Sequence, residues 1–343
     1  MKQTILVTGG TGYIGSWVVK GLLEHGHNVR ITVRDKSKTA KYQYLQDLAN
    51  ETEGTLEIWE ADLMKSGSFD EAAKGCDSIA HIASPFTLSI KDAQKELVDP
   101  AVNGTTYVLD AANKSGTVKK IVLTSSVAAI HGDNIDMKNQ NLSEFDESHF
   151  NTSSSLTHQP YSFSKVEAEK KAWGMAEQQS NWQLVVMNPS FVMGPALTTT
   201  SQSESLKIMT DILSGKYKTG APELYFGYVD VRDVAKAHII GLETETKGRH
   251  ILAERTTDML SFVNIIKAHY GDQYKLPKSL APKWLLGLIG GLFGVTRKFV
   301  KNNVGHPIKL NNSKSKTALK LDYIPLEQTV KDMVEQMKTL NVI

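Results

Sequence analysis

Apolar residues along the first half of this chain switch repeatedly between a period of two and a period near 3.6. Ile5 to Thr8 is a short β-branched and apolar run that stops at glycine. Apolar positions then recur at Ile14, Val18, Val19, Leu22 and Leu23, the spacing of a helix with one buried face. His25-Gly26-His27-Asn28 punctuates the chain, and Val29, Ile31 and Val33 alternate as a strand. This is a βαβ unit of ordinary length. The pattern recurs, with strands expected at 56–60, 77–83, 120–125 and 183–187 and helices at 69–74, 98–114 and 165–179. Strands alternating with helices predict an α/β fold, a Rossmann-type parallel sheet with helices on both faces.

Two stretches break the rhythm. Residues 131–158 are polar, rich in Asn, Ser, Asp and Glu, and read as a long loop wrapping one side of a cleft. Asn188-Pro189-Ser190-Phe191-Val192-Met193-Gly194-Pro195 reads as a rigid, punctuated turn. Beyond it, helices are expected at 203–213, 232–238, 261–270 and 326–340, with a short strand at 224–231. They predict a smaller mixed C-terminal lobe interleaved with late elements of the main sheet. The apolar run 280–295 is too short for a membrane span and is broken by Pro282, Lys283 and glycines. It reads as a buried helix or pocket wall, with a lid or membrane-facing element as the alternative.

Composition narrows the classes. With 343 residues, 41% of them hydrophobic, the chain can bury one or two substantial cores. The formal charge is +2 and the basic residues are dispersed, so no nucleic-acid footprint is expected. A single cysteine, Cys76, excludes an internal disulfide framework and a multi-cysteine metal site, and suits a reducing, cytoplasmic setting. The N-terminal run ends at glycine after one lysine and reads as a strand, not a targeting segment. The histidines show no ligand spacing, and no metal is expected.

The most telling chemistry begins at Gly9-x-x-Gly12-x-x-Gly15, directly after a strand and opening a helix. Gly9 permits a tight turn, Gly12 lets backbone approach a pyrophosphate, and Gly15 lets helix and sheet pack closely. Thr11, Tyr13 and Ile14 complete this loop, whose helix N-terminus offers unpaired N–H groups to an anion. The end of the second strand would read the cofactor ribose. Arg34, with Lys41 beyond, suits a 2′-phosphate and so NADPH; Asp35 could instead face a free ribose hydroxyl. Asp62 and Leu63 are expected near the adenine, and Ala83-Ser84-Pro85 along the ribose and pyrophosphate. His81, inside a strand, reads as structural. The expected division is a cofactor-binding domain at 1–190, carrying the catalytic groups, and a mainly substrate-binding lobe at 191–343.

Ser126 follows the next strand at the carboxyl edge of the sheet, where open α/β sheets bind ligands. Tyr161 and Lys165 stand four apart at a helix start, one turn apart on one face. An ammonium beside a phenol favours the phenolate. Ser126 can then hydrogen-bond a substrate carbonyl while Tyr161 delivers a proton and Lys165 also holds the nicotinamide ribose. His131, five residues beyond Ser126, either faces the substrate or is an ordinary loop residue.

These segments, with Thr124-Ser125-Ser126, His81-Ile82-Ala83-Ser84-Pro85 and Asn188-Pro189-Ser190, resemble the extended short-chain dehydrogenase/reductase superfamily across nearly the whole chain. Within it, the dihydroflavonol reductase-like group is most similar. The resemblance implies a Ser126, Tyr161, Lys165 catalytic triad, Arg34 and Lys41 at the 2′-phosphate, and Pro189 and Val192 lining the nicotinamide pocket. It implies NADPH-dependent reduction of a carbonyl to an alcohol by a monomer or homodimer, with residues 193–228 shaping specificity. The Asn-Trp-Tyr-Cys-Tyr signature of cinnamoyl-CoA reductases is absent, and 127–133 departs from the plant pattern. A small aldehyde, ketone or diketone is therefore the plainer substrate. The alternatives are a nucleotide-sugar epimerase or dehydratase, which Arg34 disfavours, a 3β-hydroxysteroid dehydrogenase-like enzyme, and a non-enzymatic dinucleotide-binding protein.

Overall fold

The computed structural model describes residues 2–84, 91–198, 203–293 and 295–343. Pro85 and Gly294 lie outside them, as do residues 199–202 of the expected specificity segment. The first part of the chain comprises β1 (Thr4–Thr8), α1 (Tyr13–Glu24), β2 (Asn28–Val33), α2 (Gln43–Asn50), β3 (Thr55–Glu60), α3 (Asp70–Ala73), β4 (Ser78–His81), α4 (Asp99–Ser115), β5 (Lys120–Thr124), α5 (Asp136–Asn139), α6 (Pro160–Ala176) and β6 (Gln183–Pro189). Next come β7 (Phe191–Met193), α7 (Glu204–Leu213), β8 (Tyr225–Asp230), α8 (Val231–Glu243), β9 (Gly248–Leu252) and β10 (Arg255–Asp258). The chain ends with α9 (Met259–Tyr270), α10 (Lys283–Ile289), α11 (Arg297–Asn303), α12 (Ser313–Ala318) and α13 (Leu326–Thr339).

The main sheet has seven strands in the order β3-β2-β1-β4-β5-β6-β9, and every pairing is parallel. Strand order reverses between β1 and β4, which opens a crevice at their carboxyl ends. Alternation along each strand feeds two cores, because both faces of a parallel sheet are covered by helices. Ile5, Val7, Val122, Val185 and Met187 pack with α1 and α8 on one face. Leu6, Ile79, Ile121, Leu123, Leu184 and Val186 pack on the other with residues of α3, α4 and α6. A second sheet, β10-β8-β7, pairs β7 with β8 in parallel and β8 with β10 antiparallel. Met193, Tyr228, Phe262, Val330 and Met333 form the core beneath it. The expected α/β fold with a smaller mixed C-terminal lobe is what the chain adopts, and β9 is the late strand that returns to the main sheet.

Three local expectations need correction. The stretch from Asn188 to Pro195 is extended, not a turn: β6 runs through Pro189 and β7 follows after Ser190. Pro189 is tolerated because it lies past the end of β5 and has only β9 beside it. The polar segment 131–158 carries α5 and a parallel bridge between Phe145 and Leu310, so it docks on the C-terminal part of the chain. Asp133 anchors it, accepting from His158 Nε2 at 2.8 Å and from Gln159, Asn302 and Asn303 side-chain amides at 2.7 Å each. Burial would raise the Asp133 carboxyl, but the asparagine and histidine donors prevail and hold it below the usual carboxylate range. The expected buried helix near 280–295 is instead the seven-residue α10, whose Trp284 and Leu288 are 69% and 64% exposed. A helix apolar on all sides can bury only the side that meets a neighbour. Among the described residues no helix is long and apolar enough to cross a membrane.

One buried link joins a covering helix to the active edge. His238 of α8 donates from Nδ1 to the Val234 carbonyl at 2.7 Å, so its Nε2 accepts from the Thr124 hydroxyl at 2.6 Å. Burial pushes His238 down to about 4, and does the same to His81, to about 3. A histidine held neutral by folding stabilises the protein above its unfolded value near 6.5, and that contribution is lost as pH falls towards the folded value. We therefore expect the melting temperature to drop steeply between pH 6.5 and 4. His238→Asn should flatten part of that dependence in thermal scans across the same range; an unchanged slope would refute the assignment.

Candidate active site

The glycine loop leaves β1 and turns sharply. Gly9 has φ +70°, and a Cβ there would sit 2.9 Å from the Ala83 backbone, so glycine is required both for the turn and for the approach of the β4 end. A Cβ on Gly15 would fall 2.1 Å from the Gly9 carbonyl oxygen. Gly12 is exposed, and only the Gly9 carbonyl lies near its Cβ direction, at 3.2 Å. α1 begins there with no side-chain cap and no acidic residue in its first turn. Its first N–H groups and the positive end of its dipole are thus available to an anion, which fits the pyrophosphate of a dinucleotide. Ile14 packs against the core, Thr11 is half-buried, and Tyr13 is buried with its hydroxyl donating to the Gly194 carbonyl at 2.6 Å. The Tyr13 side chain therefore ties α1 to the segment after β7, and only its backbone is left for the phosphate loop. Trp17 adds a second tie, to the Pro195 carbonyl at 2.8 Å.

At the end of β2, Asp35 turns its carboxylate onto Ser37, accepting from the amide at 2.9 Å and the hydroxyl at 2.5 Å. These hydrogen bonds hold it below the usual carboxylate range and spend its acceptors locally. Arg34 and Lys41 are exposed, and neither side chain has an ion pair or hydrogen bond among the described residues. Both cations are unspent, which fits a phosphate on the ribose. Asp62 accepts from the Met64 amide at 2.9 Å, and Leu63 lies beside Gly104 of α4.

Lys165 and Tyr161 stand on the first turns of α6 at the carboxyl edge. Lys165 is buried, with Nζ 5.7 Å from the centre of the Tyr161 ring and 3.0 Å from Ser84 Oγ. Tyr161 is 41% exposed. Ser126 Oγ accepts from the Ala128 amide at 3.1 Å, starting a short 3-10 turn that packs on α6. Its own hydroxyl proton remains free to donate outward. Asn188 Oδ1 and Ser190 Oγ, on either side of Pro189, are buried without a hydrogen-bond partner among the described residues. Orphaned buried acceptors and hydroxyls are costly, so their presence fits a bound amide group at this place. Val192 is buried in β7. The structure thus brings Ser84, Tyr161 and Lys165 together at the carboxyl edge, with Ser126 just past the end of β5 and Arg34 just past the end of β2.

Residues 5–253 match the NAD dependent epimerase/dehydratase family. The chain belongs to that family. Within the extended short-chain dehydrogenase/reductase superfamily it falls in the dihydroflavonol reductase-like group. It is 34% identical over 342 residues to "Cinnamoyl-CoA reductase CAD2" of Medicago truncatula, covering 98% of this chain and 96% of that protein. Gre2 of Candida albicans in complex with NADPH is 32% identical and superimposes with a TM-score of 0.79 over 98% of this chain and 99% of that one. The yeast methylglyoxal/isovaleraldehyde reductase Gre2, also complexed with NADPH, is 26% identical with a TM-score of 0.80, covering 99% of this chain and 100% of that one.

Other polar residues of this family member are held by packing and hydrogen bonds. His131 stacks on Phe145 with centroids 4.9 Å apart, and burial pushes it down to about 4, so the ring is neutral at pH 7. His81 Nδ1 pairs with the Thr8 hydroxyl at 2.8 Å inside the sheet. His25, His27 and Glu243 converge at the opposite, amino edge. There the Gln3 amide donates to His27 Nδ1 at 3.1 Å, which leaves the ring proton on Nε2, donating to Glu243 Oε1 at 2.9 Å. That nitrogen has no lone pair for a metal, so the trio is a hydrogen-bonded clasp. Glu169 and Arg249 carry no signal in the sequence beyond the four-residue spacing by which Glu169 follows Tyr161 and Lys165.

Gly15→Ala tests the phosphate loop. The added methyl should cost about 1–3 kcal/mol of stability by overpacking, and nucleotide titration should show binding weakened beyond that loss. Wild-type affinity in the variant would contradict the geometry.

Proposed function

We propose that this chain reduces a small aldehyde or ketone to an alcohol with NADPH, using Ser126, Tyr161 and Lys165 as catalytic residues. The observation that carries the reading is the half-exposed Tyr161 phenol backed by the buried Lys165 ammonium, at the carboxyl edge beside the crevice. The Gre2 relatives hold NADPH, and the yeast enzyme is named for methylglyoxal and isovaleraldehyde, which supports both cofactor and substrate class. Arg34 and Lys41 suit the 2′-phosphate, with Gly9 to Gly15, Asp62, Leu63, Ala83, Ser84, Pro189 and Val192 along the rest of the cofactor. In this reading residues 1–190 bind the cofactor, and 191–343 chiefly shape the substrate pocket. A cytoplasmic monomer or homodimer is the setting we infer.

When bound, NADPH supplies the hydride. Ser126 Oγ, already accepting from the Ala128 amide, donates its proton in a hydrogen bond to the carbonyl oxygen. That bond strengthens as charge builds on the oxygen. Tyr161 Oη transfers its proton to the same atom. Lys165 has three donors and spends one on Ser84 Oγ, which leaves two for the cofactor ribose and the phenol side.

Two substitutions test this. Tyr161→Phe should lower kcat by about 10²–10⁴-fold while NADPH still binds, read by fluorescence titration; full activity would refute the proton-donor role. Arg34→Ala should raise KM for NADPH by roughly 10- to 100-fold, the worth of a charge-assisted hydrogen bond, and leave KM for NADH nearly unchanged. Equal effects on both cofactors would remove the 2′-phosphate assignment. Tightly retained NAD with turnover of a nucleotide sugar would overturn the reductase reading itself.

A further inference from the structure

The side chain of Glu169 is fully buried in the protein interior, one turn beyond Lys165 and two beyond Tyr161 on α6. Each of its oxygens takes two donors. Oε1 accepts from Arg249 Nε at 2.6 Å and Trp173 Nε1 at 3.2 Å. Oε2 accepts from the Ser125 hydroxyl at 2.5 Å and Asn188 Nδ2 at 2.9 Å. A carboxylate offers about four acceptor positions, and all are filled.

The donors lead back to Ser126 by separate routes. Ser125 precedes it in the chain. Asn188 Nδ2 also donates to the Ser126 carbonyl at 3.1 Å. Arg249, 7% exposed in its side chain, donates from NH2 to the Ala129 carbonyl at 3.4 Å, at the end of the turn that Ser126 opens. Its NH1 holds the Glu147 and His149 carbonyls at 2.9 Å and 2.5 Å, and its guanidinium lies 3.9 Å from the centre of the Phe150 ring. One carboxylate thus joins the helix of Tyr161 and Lys165 to the ends of β5 and β6, and through Arg249 of β9 to the loop beyond Ser126.

A buried ion pair of this kind is an expensive way to gain stability, since well-packed apolar residues often serve as well. What it provides is directional: four fixed bonds set one backbone relative to another. We propose that Glu169, with Arg249, is a positioning residue that sets Ser126 against Tyr161 and Lys165 for proton delivery. The inference rests on the catalytic reading above. Both side chains act through Ser125, Asn188 and the 127–129 turn.

The test compares full-length wild type, Glu169→Gln and the apolar pair Glu169→Leu/Arg249→Met. A misplacement of about 1 Å can cost about 100-fold in rate. Glu169→Gln should therefore lower kcat about 10- to 100-fold with a smaller change in KM. NADPH affinity should stay close to wild type, and the deuterium isotope effect with labelled NADPH should rise. The apolar pair removes the unpaired charge that Glu169→Gln leaves on Arg249. It should restore the melting temperature while kcat stays low. Recovery of kcat together with melting temperature would mean that the pair is only structural and overturns the proposal. So would unchanged kcat in Glu169→Gln. Should that variant fail to fold, Ser125→Ala removes one donor alone and should lower kcat at near-constant melting temperature; unchanged kcat there counts equally against positioning. An active wild type with indifferent variants rejects only this inference. A wild type inactive on a broad panel of aldehydes, diketones and ketoesters rejects the catalytic reading and the positioning role with it.

Discussion

Seven strands that all run one way must all end at one edge, and the rest of this protein depends on that constraint. Parallel pairing requires each connection to cross back over a face of the sheet, so both faces are clothed by helices and only the edges stay open. At the carboxyl edge, the ends of β1, β2, β4, β5 and β6 deliver Gly9, Arg34, Ala83 with Ser84, Ser126 and Pro189 in sequence order, while the reversal between β1 and β4 opens the crevice they line. Tyr161 and Lys165, the second and sixth residues of α6, reach the same place because helices that start at this edge begin beside it.

Polar chemistry at such an edge has to be held from inside. The interior does so with two saturated carboxylates. Glu169 gathers donors from α6, β5, β6 and β9, and Asp133 gathers donors from the segment before α6 and from α11. Gln159, with φ 53° and ψ 55°, adopts the left-handed conformation unusual for a residue with a side chain, just before Pro160 starts α6. The hydrogen bond its side-chain Nε2 donates to Asp133 Oδ1 helps to hold that geometry. The entry of α6 and its third turn are therefore each fixed by a buried acid.

The βα alternation and the glycine loop were legible in sequence for a simple reason. Both are local: helix and strand periods show in the spacing of apolar residues, and a loop between a strand and a helix needs glycine wherever a Cβ would strike backbone. The Tyr161–Lys165 pair was legible because both groups share one helix. The continuation of β6 through Pro189 into β7 was not, since a proline and a glycine read as punctuation unless the absence of a neighbouring strand is known. Nor was the docking of 131–158, whose hydrogen bonds go to residues about 165–170 positions away. The exposure of Trp284 and Leu288 was hidden for the same reason: apolarity says what a residue prefers, and only the packing says whether a partner arrives.

The sequence by itself determined the fold class and the dinucleotide loop and pointed to the proposed proton-transfer groups, because each is written in short-range spacing and residue chemistry. Only the tertiary structure decided which charges are free and which are spent. Asp35 and Arg34 are adjacent in sequence, yet the carboxylate is consumed by Ser37 while the guanidinium is left open. Glu169 and Arg249 lie 80 residues apart and meet in the interior. A charge's role depends on its partners and on the water around it, and both are set by folding, not by position in the chain.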